Sequence, residues 1–220
     1  MCTQQTVPQP AITDGWLMLP GWERFRRYLL LGLGLNLLFF LVYGGLNLLT
    51  SLRSQRFHLY MDWELRIPFW PEMILGYASL LVLFLLPPFA LSAPALNRLA
   101  RRFVIATLIA AIAFLLFPAQ LGFERPEPPG VYGPVYRLLY ALDFPHNLVP
   151  SLHVAYSTLT LAALGSVSSA WLRSLLALWL GVICLSTLLV HQHHLLDVAG
   201  GLALGAWLHL RERLSTGQAR

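Results

Sequence analysis

Apolar residues fill six runs, at 28–50, 72–91, 103–117, 150–165, 171–190 and 195–210, with polar, Pro- or Arg-bearing stretches between them. A bilayer crossing takes ~20 apolar residues at ~1.5 Å rise each, so the runs predict an all-α, polytopic membrane helix bundle with six transmembrane helices. The third, fourth and sixth fall short of that length, and their ends are the least defined. Residues 118–149 form the longest connection, rich in Pro and Gly. Within it Val135, Leu138, Leu139 and Leu142 recur at helical spacing, which predicts an interfacial helix over 132–143 in the long outer loop. Residues 1–27 read as an N-terminal tail, 28–210 as the membrane domain and 211–220 as a C-terminal tail. No short apolar core with a small-residue cleavage site precedes residue 28, so the first run is expected to stay as a membrane helix. No internal repeat is evident.

Composition agrees with this pattern. The chain is 57% hydrophobic and 11% charged, with mean hydropathy +0.62, far from a soluble domain. Its 15 basic residues are all Arg and its formal charge is +5. With six crossings, Arg24, Arg26, Arg27, Arg98, Arg101, Arg102, Arg173, Arg211, Arg213 and Arg220 share one side. Arg53, Arg56, Arg66, Arg125 and Arg137 share the other, together with most of the acids. The positive-inside bias then puts both termini in the cytoplasm. The expected partner of this basic charge is the lipid bilayer, with no nucleic acid. Cys2 and Cys184 are too far apart in this topology to pair, and neither has a neighbour that would activate a thiol.

Chemistry concentrates in residues 186–201, where His193 and Asp197 stand four apart and therefore on one helix face. A carboxylate accepting from one ring N–H fixes the imidazole tautomer and leaves the other nitrogen to attack or to take a proton. A second element, Pro150-Ser151-Leu152-His153, opens another apolar run. Six crossings place His153 and His193 on the same outer side.

Pro150-Ser151-Leu152-His153 followed by Ser186-x6-His193-x3-Asp197 resembles the second and third motifs of the type 2 phosphatidic acid phosphatase superfamily, Pro-Ser-Gly-His and Ser-Arg-x5-His-x3-Asp. The likeness spans roughly the C-terminal half of the chain. Leu152 stands where the superfamily has Gly and Thr187 where it has Arg, as in the subgroup that includes inositol phosphorylceramide synthases and related bacterial membrane phosphatases. Of the first motif, Lys-x6-Arg-Pro, Arg125-Pro126 is present, and Pro118 occupies the Lys position. The resemblance implies a lipid phosphatase or phosphotransferase of a bacterial inner membrane, its site facing the exterior, without cofactor or metal. It implies that His193 attacks phosphorus, that Asp197 orients His193, and that His153 serves as acid and then base. Arg125 and Ser151 would hold the phosphate, with Arg137 as a second clamp from the outer-loop helix. The acceptor is then water or a lipid alcohol such as ceramide.

Each residue also has a plainer role. Ser151 can cap the fourth helix, Arg125 can pair with Glu124 or Glu127, and Arg137 can snorkel to headgroups. His191 and His194 can be loop residues, and Asp62, Trp63 and the run 67–71 can be interfacial anchors. Two other functions stay open on sequence grounds: a zinc-binding transporter or sensor using His153, His191, His193, His194 and Asp197, and a lipid-binding relative without chemistry.

Overall fold

The computed structural model describes residues 19–128, 130–143 and 145–215, and over them the chain is helical, with Phe57 and Ala119 bridged between two loops. The two ends of the chain, with Cys2 and Arg220, lie outside the described residues. The elements are α1 (Trp22–Phe39), a π-helical turn (Phe40–Gly44), α2 (Gly45–Ser51), α3 (Ile74–Leu85), α4 (Pro87–Ala90), α5 (Ala93–Leu116), α6 (Gly133–Leu142), α7 (Leu152–Gly165), α8 (Ala170–Leu189) and α9 (Leu195–Ser215). Among the described residues three helical stretches are long and apolar enough to cross a membrane: Trp22–Ser51, Ala93–Leu116 and Ala170–Leu189. Pro71–Leu85 and Leu152–Gly165 are shorter apolar helices.

The boundaries shift where local chemistry overrides apolarity. The run expected over 72–91 breaks after Leu85, because Pro87 and Pro88 lack the N–H groups to continue its hydrogen bonds. The run expected from residue 103 starts ten residues earlier, at Ala93, with Pro94 in the first turn. Arg98, Arg101 and Arg102 are therefore helical and not in a connecting loop. The last helix continues past residue 210 to Ser215.

α7 is the hub. Twelve of its fourteen residues are buried, and it packs against α3, α5, α8 and α9. Its polar members are tolerated there because Ser157, Thr158 and Thr160 donate to carbonyls four residues back, at 2.8 Å each. α9 lies closest. A Cβ at Gly201 would stand 2.6 Å from the Ser151 carbonyl, and one at Gly205 would stand 2.7 Å from Thr158 Cβ. Gly201 and Gly205 are thus a small-x-x-x-small seam that lets two backbones meet. Outward faces carry Leu33, Leu37, Leu81, Leu108, Ile112, Leu178 and Leu185, all exposed, as suits contact with hydrocarbon.

Candidate functional site

The Gly201 seam fixes the start of α9 against the start of α7, and the Ser151 N–H donates to the Asp197 carbonyl at 3.0 Å. α8 ends just before, in a turn whose His191 takes a left-handed backbone (φ 55°). The Gln192 and His193 N–H groups both return to the Thr187 carbonyl, at 3.0 and 3.1 Å. This tight reversal sets His193 in place. Thr187, where the superfamily carries Arg, is fully buried, and its hydroxyl donates to the Cys184 carbonyl at 2.8 Å.

His193 Nδ1 lies 3.1 Å from Asp197 Oδ2, and the same oxygen accepts the His194 N–H at 2.8 Å. Asp197 is fully buried at the start of α9, where helix N–H groups favour negative charge. An ionised Asp197 can only accept, so Nδ1 is the donor of this pair, and in the neutral ring that leaves the Nε2 lone pair free. His153 lies face to face with Tyr77, ring centres 4.0 Å apart, and its buried Nε2 has no protein partner. His153 and His193 line one cavity of about 450 Å³. Tyr43, Tyr77 and Asp143 complete its polar end, while Leu31, Phe39, Leu80, Phe84 and Phe103 make the remainder apolar.

Arg125 stands behind this polar end without lining it. Its Nη1 donates to the Asp143 carbonyl at 2.5 Å and Nη2 to Gln192 Oε1 at 3.4 Å, and its guanidinium lies 5.0 Å above the Tyr140 ring. Its Nε is buried without a partner among the described residues. Burial lowers its pKa, against the opposing pull of Asp143. Ser151 is fully buried and caps α7, its hydroxyl accepting the Val154 N–H at 3.3 Å. Arg137 is exposed and pairs with Glu127, away from the cavity. Pro118, at the superfamily's Lys position, gives its carbonyl to the Phe57 N–H at 2.7 Å, tying two loops together.

Sequence reasoning passed over three residues. Asp143 lines the cavity and accepts from the Tyr43 hydroxyl at 2.7 Å. Tyr77 supplies the face against His153. Glu64, 1% exposed, accepts the Leu195 N–H at 2.8 Å and the Met61 N–H at 2.9 Å, and lies 3.4 Å from His194 Nδ1. An acid next to Trp63 in an aromatic loop was the available signal for Glu64, although Asp62 offers the same pattern. Nothing in the local pattern marks Tyr77.

The other two histidines of the turn are built into a ring stack. His194 lies between Tyr60 at 4.4 Å and Phe123 at 4.3 Å, and Phe123 also faces His191 at 4.1 Å. His194 Nε2 accepts the Gly122 N–H at 3.1 Å, and His191 Nε2 lies 2.9 Å from the Ile67 carbonyl. Burial lowers the pKa of both rings. Their side chains are directed at loop partners, and among the described residues no group of three His, Cys, Asp or Glu side chains is arranged to hold a metal ion. Comparison of the chain with protein-family models, curated proteins and solved structures finds no match.

Proposed function

We propose that the chain is an integral membrane lipid phosphatase or phosphotransferase working through a phosphohistidine on His193. The observation that carries this reading is that His153 and an Asp197-oriented His193 line one cavity whose other walls are apolar. In the first step the Nε2 lone pair attacks phosphorus. An N–P bond forms as the P–O bond to the leaving group breaks, and His153 gives that oxygen a proton. In the second, His153 takes the proton of water or of a lipid alcohol, whose oxygen displaces Nε2 and restores free His193. Asp197 stabilises the positive charge that the ring acquires on attack. Arg125 is close enough to bias the polar end toward phosphate, and its unpartnered Nε leaves one donor in reserve.

The topology that accompanies this reading has six crossings, both termini cytoplasmic, the cavity toward the exterior of a bacterial inner membrane and α6 lying in the outer interface. Support comes from the Arg distribution and from Leu139 and Leu142 of α6, which line the cavity. Incubating the purified chain with labelled phosphatidic acid, polyprenyl diphosphate, or a phospho-headgroup lipid plus ceramide, then separating products by thin-layer chromatography, distinguishes hydrolysis from transfer. His193→Ala is expected to abolish turnover, and the parent quenched in alkaline detergent to carry base-stable label that acid then removes. Label on Ser151, or full turnover by His193→Ala, sinks the proposal.

A further inference from the structure

At the end of α7 far from His153, α5, α7, α8 and α9 flank a second, open-sided cavity of about 820 Å³. Arg98 and Arg102 of α5, Arg173 of α8 and His209 of α9 line it, with Leu176 and Leu180 forming an apolar wall. Buried Glu212 faces three guanidiniums: Arg102 Nε at 2.5 Å, Arg98 Nε at 3.3 Å and Arg101 Nη2 at 3.8 Å. Arg173 has no ion pair among the described residues, so one carboxylate stands against four guanidiniums. Arg102 Nη1 also donates to His209 Nδ1 at 3.2 Å, which holds its fork in a fixed direction.

Guanidiniums that outnumber their carboxylate beside an apolar wall attract a further anion. Guanidinium forks match phosphate oxygens two at a time, and basic pockets between membrane helices suit anionic headgroups. The volume lies within the range of small-ligand sites. We propose that this cavity binds a phosphate ester, carried either by the headgroup of an anionic phospholipid or by a soluble molecule. The proposal stands apart from the chemistry at His193, since no residue is shared between the two cavities.

The test uses the full chain in neutral detergent. Native mass spectrometry counts retained phosphatidylglycerol against phosphatidylcholine, and thermal unfolding is followed with added inorganic phosphate or glycerol phosphate. Arg173→Gln is the variant, since Arg173 is exposed and makes no ion pair among the described residues, so its loss leaves the core intact. Arg211→Gln is the charge-matched control, because Arg211 sits at the same end over the Trp207 ring, outside the cavity. Expected is an about tenfold weaker preference for the anion in Arg173→Gln, with Arg211→Gln like the parent. Loss in the lipid arm identifies a headgroup, and loss in the phosphate arm alone identifies a soluble ester. No anion preference in the parent, an unchanged Arg173→Gln, or equal losses in both variants overturns the proposal.

Discussion

Asp143 shows how much one side chain beside the cavity can disclose. Burial raises its pKa above the ordinary carboxylate value, outweighing the Tyr43 hydrogen bond and the charges of His193 and Arg125. A folded-state pKa above the unfolded one means that the folded chain holds this proton more tightly. That contribution to stability is complete in acid, and it is lost as pH rises from the ordinary carboxylate range through the raised value. Asp143→Asn keeps an acceptor for Tyr43 and removes the penalised charge. Its unfolding midpoint in detergent is expected to exceed the parent's at neutral pH, with the difference vanishing in acid. A midpoint below the parent's at pH 7 would mean that the carboxylate's attraction to Arg125 and His193 dominates.

Among the elements, the packing of α9 on α7 decides whether the site exists. Gly205 meets Thr158 and the Ala155 carbonyl, whereas at Gly181 on α8 an added methyl group would have nothing within 4 Å. Gly181→Ala should therefore gain up to about 1 kcal/mol of helix propensity. Gly205→Ala should lose about 1–3 kcal/mol through overpacking and should weaken activity with it. Equal midpoints for the two variants would remove the seam from the account. How far the sequence foretold these elements follows from the range of the forces involved. Helical apolar runs and the His193–Asp197 contact are local, and both were legible, as was a helix over most of 132–143, although His193 lies in the turn before α9 and not, as expected, on one helix face with Asp197. The early start of α5 was not, because Arg98, Arg101 and Arg102 look like a polar loop until Glu212, more than a hundred residues on, is seen to face them. Tyr77 was illegible for the same reason, and Glu64 showed only its place in the loop, since His194 and Leu195, which it meets, are distant in sequence. Ser151 and Arg137 carry motif or helical position, yet in the fold one caps α7 and the other pairs with Glu127.

For the whole molecule, the two ends of the bundle differ. Around the candidate site the loops are fastened to one another: Phe57 to Pro118, Tyr60 and Phe123 on either side of His194, and Glu64 to the start of α9. The cavity's apolar walls instead run down α1, α3 and α5, and no residue of α1 is buried. Under the proposed function, a substrate reaches His193 sideways between helices, without first leaving the lipid phase. The quantity governing its turnover is then a mole fraction in two dimensions. At constant bulk substrate, extra detergent in mixed micelles should slow the reaction in proportion to surface dilution, and a rate indifferent to that dilution would point to capture from water.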